Sequence, residues 1–444
     1  MPELAETPAP VQMTARVRSP AALIPPLASA MAASAGAGLL QTLLPLRLRA
    51  SGLDTDAVGL VVTAYALGFV FGCLWAAGLI RSVGHVRTSC VCAAITALSV
   101  LGFEWHPGLA LSIIVNGLIG LGSAGLYVVT ESWLNELAAP EWRGRLLTIY
   151  VVLLAVFWAL GQSLGLGLNI DGSRMLILSA GFYMLALVPM AAIDVVTPKS
   201  PETAQIRLLH AFKVAPVGAL ACLHTGLVAA TFTGIGPLFG EALGLDTHHI
   251  VLLMIASQIG MALQWPLGAV SDRMDRRRVM IGMSLLVSGL AMLLVMAAPI
   301  APFYGFAVLF AAFSGVAESF YPIGVAHAND RAQPSEYVLI SSNLLLIFAV
   351  GRALGPLVGA SVLRQAGPAG LLFYAIALSL AFAVIALARI LWARSPKEDE
   401  REEFVAYPTT SPTALEWVTL RKLRRQQPPE AVDGVAERPS DSGS

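Results

Sequence analysis

The amino-acid sequence predicts an all-α membrane protein in which twelve transmembrane helices form two pseudo-symmetric six-helix bundles. The first observation is composition: of 444 residues, 56% are hydrophobic and 13% are charged, whereas a soluble domain is about 25% charged. Residues 393–444 hold 18 of the 56 charged side chains, so the rest of the chain is poorer still. This composition excludes a soluble enzyme, a nucleic-acid-binding protein and a disordered chain. The formal net charge of zero gives no overall field that attracts anionic partners.

The second observation is the length of the apolar segments. A helix needs about 20 apolar residues to cross the hydrocarbon core of a membrane. Runs such as 58–75 do not alternate in polarity, as the strands of a membrane barrel would. Glu3, Glu6 and several prolines precede the first run, so we expect it to remain as an uncleaved first helix. The twelve predicted spans are 21–46, 56–80, 88–105, 107–132, 146–168, 173–195, 214–240, 248–270, 279–299, 301–326, 337–363 and 368–392.

The third observation is an internal repeat. Gly-Leu-Asp-Thr occurs at 52–55 and again at 244–247, and Pro-Leu precedes both copies at the same offset of 192 residues. Gly68 and Gly260 keep that offset as well. Several features at one offset indicate a duplicated half. Two parallel six-span halves place a substrate site between them near the middle of the membrane.

The distribution of basic residues predicts the orientation. If both termini lie in the cytoplasm, 23 Lys and Arg residues fall on the cytoplasmic side, four fall on the other side, and Arg352 falls inside a span. We therefore expect a multi-pass protein of the inner (cytoplasmic) membrane with both termini in the cytoplasm. The predicted regions are a cytoplasmic N-terminal segment 1–20, a first bundle 21–195, a cytoplasmic linker 196–213, a second bundle 214–392 and a cytoplasmic, largely disordered tail 393–444.

Several connecting segments resemble those of the major facilitator superfamily. The turn 268–277, Gly-Ala-Val-Ser-Asp-Arg-Met-Asp-Arg-Arg, is similar to the superfamily's loop between helices 2 and 3 of each half, except that Asp275 replaces a glycine. The first-half copy keeps Gly84 but has Arg81 where the family usually has aspartate. Segments 140–145 and 351–356 resemble the family's Arg-Gly-Arg loop and glycine–proline helix motif.

Four shorter segments resemble the YcaD-type branch, which has no firmly assigned substrate; they are 128–132, 143–147, 264–268 and 320–322. One position departs from other members: the arginine that is common in helix 4 of drug and sugar transporters corresponds to Asn116 here. This departure argues against a role as a drug exporter.

The resemblance implies that the loops gate the transporter. Asp272 can cap a following helix and pair with an arginine, which would fasten the two halves in the outward-open state. The alternative is that the neighbouring arginines only set the orientation in the membrane. The residues assigned to the gating loops are Asp272, Arg273, Arg276, Arg277, Gly84, Arg143 and Arg145.

Three ionisable residues fall inside spans, where a charge costs about 2.5–3.5 kcal/mol on insertion scales. Glu131 in span 4 and Glu318 in span 10 are expected at similar depth, and with Arg352 they are the candidates for proton coupling. The alternatives are structural pairs, of Glu131 with Arg143 or Arg145 and of Glu318 with Arg352. The candidates for substrate contact in the cavity are Gln41, Asn116 and Tyr321.

The sequence therefore predicts a secondary active transporter that moves a small organic solute by alternating access, coupled to protons. The alternative is a transporter-fold protein that acts as an assembly factor or sensor without net transport. The chain shows no phosphate-binding loop and no cluster of catalytic side chains, so we expect no enzyme activity and no cofactor. The four cysteines lie in apolar spans and support neither a disulfide framework nor a metal site. We expect a monomer whose partners are the small-molecule substrate, protons and membrane lipid, with no nucleic acid.

Overall fold

The structure is a computed structural model, and it describes residues 23–105, 108–137, 143–168, 172–191, 207–333 and 336–392. The predicted N-terminal segment, most of the linker and the predicted tail lie outside these residues. The described part is helical throughout, and it contains eleven helices that are long and apolar enough to cross a membrane.

The first bundle contains spans 1 to 6. They are Ile24–Ala50, Thr55–Val83, His85–Gly102, Leu109–Leu137, Arg143–Leu164 and a sixth span made of Arg174–Leu185 and Leu187–Ala191. Short 3-10 turns, Phe103–Trp105 and Gly165–Gly167, extend spans 3 and 5.

The second bundle begins with spans 7 to 10. They are Pro216–Ala242, Thr247–Arg273, Arg276–Ala297 and Phe303–Asn329. Span 8 contains a 3-10 turn at Met261–Leu263, and span 10 is interrupted at Ser319, between the helices Phe303–Glu318 and Phe320–Asn329.

The last helical stretch, Tyr337–Trp392, consists of two spans. Its 56 residues would make a straight helix of about 84 Å, far longer than the roughly 30 Å hydrocarbon core of a membrane. Gly367 breaks it with a φ of 67°, and Pro368 follows. Because a positive φ is easily adopted only by glycine, the chain turns back here. Span 11 is therefore 337–366 and span 12 is 368–392, which gives the twelve predicted spans and confirms the predicted fold class.

The duplicated tetrapeptide forms the same turn in both bundles. Gly52 and Gly244 have φ angles of 96° and 78°, respectively. The side chain of Asp54 then accepts a hydrogen bond from Ala57 N at 2.7 Å, and Asp246 accepts one from His249 N at 2.8 Å. The glycine ends one span and the aspartate caps the next, so the repeat is retained for local structural reasons. We call the end of the molecule at these turns, 51–54 and 243–246, the turn end.

The opposite end, which we call the linker end, carries a short helix, Leu208–Val214, just before span 7. The N–H of Arg207 donates to Asn343 Oδ1 at 2.6 Å, and His210 Nε2 lies 3.0 Å from Glu336 Oε1. These contacts fix the end of the linker against span 11 of the second bundle.

Candidate functional site

A cavity of about 200 Å3 lies between the two bundles. Spans 1, 2, 4 and 5 line it on one side, and spans 7, 8, 10 and 11 line it on the other. The two sets are equivalent in the repeat, since spans 1, 2, 4 and 5 of the first half correspond to spans 7, 8, 10 and 11 of the second. The cavity is therefore built at the interface that would open or close if the bundles rocked.

The first bundle supplies most of an aromatic wall. Tyr65 and Phe69 lie four residues apart on span 2, so they share one helix face, and their ring centroids are 6.1 Å apart. The ring of Tyr127 on span 4 lies 6.2 Å from that of Phe69, and Trp158 of span 5 also lines the cavity. Such rings offer flat apolar surfaces to a ligand. None of these aromatic residues is among the site residues predicted from the sequence.

The second bundle supplies the charges. Among the described lining residues, Glu318 and Arg352 carry the formal charges. The Glu318 carboxylate accepts a 3.5 Å hydrogen bond from Thr233 Oγ1, and the Arg352 guanidinium lies 5.8 Å from the centroid of the Phe69 ring, within cation–π range. No ion pair within 4.0 Å joins Glu318 to Arg352, so the structure does not contain the direct pair that the structural alternative requires.

Two of the three predicted substrate contacts line the cavity. They are Gln41 on span 1 and Tyr321 on span 10. The structure does not bring Asn116 to the cavity: this residue is fully buried between spans 2 and 4, and its Nδ2 donates to the carbonyl oxygen of Val61 at 2.8 Å. Its amide joins two helices of one bundle, which removes the reason for treating it as a substrate contact.

Glu131 occupies a different place from Glu318. It is fully buried, accepts a 2.9 Å hydrogen bond from Tyr150 Oη, and is not among the residues that line the cavity. It lies six residues before Leu137, whereas Glu318 lies eleven residues before Asn329, a difference of about 8 Å along the helix axes. Contrary to expectation, the two carboxylates do not share one depth.

The contacts between the bundles differ at the two ends of the molecule. At the turn end, Asp56 of the first bundle forms an ion pair with Arg364 of the second and accepts a 3.0 Å hydrogen bond from Ser361 Oγ. Arg49 and Glu241 form a second pair across the bundles at 3.5 Å. At the linker end, an apolar cluster contains residues of both bundles, among them Leu134, Leu147, Tyr150, Tyr321, Val325 and Leu344.

The signature loop of the second half forms a buried charge cluster. Arg276 is 2% exposed, and its guanidinium contacts Asp272 Oδ1 at 3.1 Å and Asp330 Oδ2 at 2.7 Å. Asp275, at the position of the family's glycine, caps the helix of span 9 by accepting from Arg277 N at 3.0 Å. The capping role expected of Asp272 therefore belongs to Asp275. These contacts join spans 8, 9 and 10 of one bundle rather than the two halves.

The remaining gating residues take up loop positions. Gly84, with a φ of 85°, ends span 2 and precedes span 3, and Arg273 is exposed at the end of span 8. Arg143 begins the helix of span 5. The side chains of Arg143 and Arg145 lie outside the described part of the structure, as does the predicted pairing of either with Glu131.

The family model of the major facilitator superfamily matches residues 27–265 and 221–429 of the chain. The chain belongs to the major facilitator superfamily. A relative from Enterobacter sp. (strain 638), named an uncharacterized MFS-type transporter, is 29% identical over 349 residues, 78% of this chain and 89% of its own length. The uncharacterized MFS-type transporter YcaD of Salmonella newport is 27% identical, covering 74% of this chain and 85% of the relative.

Solved structures of the superfamily have the same architecture. The nucleoside transporter NupG aligns with a TM-score of 0.68 at 14% identity, covering 83% of this chain and 98% of its own. A D-xylose–proton symporter aligns with a TM-score of 0.62 at 14% identity, covering 86% of this chain and 98% of its own. At such identities the likeness shows the fold alone. The predicted superfamily is confirmed, the YcaD-type relatives agree with the narrower resemblance, and the chain is a multi-pass membrane transporter.

Proposed function

We propose that this member of the superfamily is a secondary active transporter that moves a small organic solute across the inner membrane by alternating access, coupled to protons. The observation that carries the proposal is the cavity between the bundles, which holds the Glu318 carboxylate and the Arg352 guanidinium without a direct ion pair between them. A buried carboxylate in a span is a natural proton carrier, because binding one proton removes a charge that is costly in a membrane. Glu318 is in contact with the cavity, and so it is the better candidate than Glu131.

The different contacts between the bundles at the two ends support alternating access, because those at one end can break while those at the other remain. The pairs at the turn end are partly exposed, with side-chain exposures of 49% and 30% for Arg364 and Asp56. Exposed pairs of this kind contribute about 0–1 kcal/mol, so breaking them costs little. The apolar cluster at the linker end instead holds the bundles together by burying side chains from both of them.

A reversible disulfide tests whether opening of the turn end is required. The side chains of Asp56 and Ser361 approach to 3.0 Å, so Asp56→Cys combined with Ser361→Cys places two thiols close together across the bundles. In vesicles that carry a pH gradient and a trapped pH dye, solute-dependent proton entry should stop on oxidation and return on reduction. The single variant Asp56→Cys, oxidised in the same way, is the control. Full transport by the oxidised double variant would contradict alternating access.

The proposed orientation has both termini in the cytoplasm and the turn end outside. A reporter fused after Ser444 should be active inside the cell, and a cysteine introduced at Asp246 should react with an impermeant reagent from outside. A reporter active only outside the membrane would reverse the orientation. The observation behind this expectation is the uneven distribution of Lys and Arg, 23 on one side and four on the other.

A further inference from the structure

The charges that line the cavity cancel when both are ionised. Glu318 contributes −1 and Arg352 contributes +1, and the other described lining residues carry no formal charge. An anion that enters is then attracted by one group and repelled by the other. When Glu318 binds a proton, the repulsion disappears and the cavity presents a single positive charge.

A second donor in the same cavity has no partner. The Nε2 of Gln41 is buried and donates to no described residue. A buried donor without a hydrogen bond is costly, so this amide favours a ligand that brings an acceptor. Gln41 belongs to span 1 and Arg352 to span 11, so an acceptor group bound by both would connect the two bundles. A carboxylate accepts several hydrogen bonds at once and suits a guanidinium, with which it can form a bidentate pair.

The remaining walls fit a flat apolar body. Tyr65, Phe69 and Trp158 present aromatic surfaces on the side of the first bundle, opposite the charges. The volume of about 200 Å3 is smaller than the roughly 300–1,000 Å3 of sites for drug-sized ligands. The space therefore favours a small ligand with a single ring or a short apolar chain.

We propose that the cavity binds a small organic carboxylate with a flat apolar body, and that one proton binds to Glu318 with it. This inference rests on the proposed proton-coupled transport and names its substrate class. The carboxylate contacts Arg352 and Gln41, and the apolar body lies against the aromatic wall. Empty and fully loaded cavities both have zero net charge, whereas a cavity with only the proton or only the anion is charged. Because a net charge in the membrane interior is disfavoured, the proton and the anion cross together.

The proposal implies that binding of the carboxylate depends on pH, and that this dependence arises from protonation of Glu318. The titratable groups that face it across the cavity are Tyr65 on span 2, Tyr127 on span 4, Tyr321 on span 10 and Arg352 on span 11. Phenols and a guanidinium do not change charge between about pH 5 and pH 8. Spans 7 and 8 face it with Thr233 and Gln258, among other residues without a charge. Among these groups, only the carboxylate can change its charge in that range.

The test measures binding of three matched probes to the purified full-length protein: phenylacetate, phenylacetamide and 2-phenylethylamine. Their rings are identical and their side groups are negative, neutral and positive. At pH 5.5 phenylacetate should bind at least about tenfold more tightly than phenylacetamide, and its Kd should rise by up to about tenfold per pH unit once Glu318 ionises. Equal binding of acid and amide, or tightest binding of the amine, would overturn the inference. So would a zwitterion, L-phenylalanine, that binds more tightly than phenylacetate and loses this binding in Glu318→Gln.

Variants assign the effects to the two charges. Glu318→Gln should bind phenylacetate with a Kd that no longer depends on pH, and Arg352→Gln should lose the preference for the acid while Arg352→Lys keeps part of it. Arg278→Gln, an exposed arginine on span 9, is the matched control and should behave as the wild type. If Arg352→Gln does not fold, binding of the three probes to the wild type and to Glu318→Gln still tests both the preference for a carboxylate and the role of the proton. Retained pH dependence in Glu318→Gln overturns the role of the proton.

A vesicle assay separates this inference from the proposed function. Uptake of labelled phenylacetate from the acidic side of the membrane, if it requires Glu318, supports both the carboxylate site and proton-coupled transport. Binding of phenylacetate that requires Arg352, without uptake under a pH gradient, leaves the site assignment standing and contradicts transport. Gradient-driven uptake of 2-phenylethylamine or phenylacetamide, with no binding of phenylacetate, leaves transport standing and overturns the carboxylate site.

Discussion

Replacing Gly68 by alanine tests the close packing of spans 2 and 4. A β-carbon at this position would lie 1.9 Å from the carbonyl oxygen of Gly117, whereas real β-carbons are essentially never found within 3.0 Å of another atom. The two helices must therefore separate by about 1 Å, which loosens their contacts along the interface. Overpacking of this kind costs about 1–3 kcal/mol, and the better helix propensity of alanine returns about 0.5–1 kcal/mol. The difference is a net destabilisation of about 0–2.5 kcal/mol, and the middle of the two ranges gives about 1 kcal/mol.

Gly282 on span 9 provides the matched control, because a β-carbon there would meet no atom within 4 Å. Gly282→Ala should be neutral or slightly stabilising. Gly260, the repeat partner of Gly68, would place its β-carbon 2.0 Å from the carbonyl oxygen of Ala311 on span 10, so Gly260→Ala should lose as much stability as Gly68→Ala.

The assay is thermal unfolding of the three variants and the wild type in one detergent, followed by circular dichroism. Gly68→Ala and Gly260→Ala should melt about 2–5 °C below Gly282→Ala. Equal melting temperatures for all three variants would refute the argument, since the packing of spans 2 and 4 would then tolerate a methyl group.

Three further predictions concern charged side chains. Asp272→Asn should change the melting temperature little, because the arginine that it contacts has a second carboxylate partner, and it should leave turnover in vesicles unchanged, because these contacts lie within one bundle; slowed turnover would restore the gating role that the resemblance implies. Glu318→Gln should abolish pH-gradient-driven transport while substrate exchange survives, and full gradient-driven transport by both this variant and Glu131→Gln would defeat the coupling hypothesis. Hydrogen bonds from His249, first from its backbone N–H, lower the pKa of the Asp246 carboxyl below 3.8. The ionised carboxylate therefore stabilises the start of span 8 above about pH 4 and ceases to do so as the pH falls through its folded pKa. Asp246→Ala should melt below the wild type at pH 7, and melting curves should show this difference narrow as the pH falls through the folded pKa of Asp246; a difference that does not change with pH would contradict the role of the charge.

The spans and their pairing were predictable because the signals are local. Apolar runs of the length of a membrane fixed the number of spans, and the repeat at 52–55 and 244–247 fixed their arrangement in two halves. The turn at Gly367 also follows from sequence, since a glycine followed by a proline separates the last two apolar runs. The break in span 10 at Ser319 was not predicted, because no proline or glycine occupies that position.

The cavity was only partly predictable, because span sequences here are apolar on most faces and do not specify which face points inward. Gln41 and Asn116 were both predicted to contact substrate because both are polar residues in apolar spans. In the structure, however, the Asn116 side chain faces span 2 and donates to its backbone. The aromatic wall gave no distinct pattern, because Tyr and Phe also serve as packing residues. The pair of Asp56 with Arg364 spans 308 positions, a separation over which a single sequence carries no pairing information.

The turns kept by the repeat contrast with a cavity in which the duplicated halves have diverged. At the offset of 192 residues, Glu318 corresponds to Leu126 and Arg352 corresponds to Leu160, so the first half carries neither charge. The second half in turn has Ser257 where the first has Tyr65. In the cavity, the second half therefore supplies the two charges and the first half supplies most of the aromatic wall. A homodimer of either half alone would not reproduce this cavity, because each half lacks side chains that the other provides.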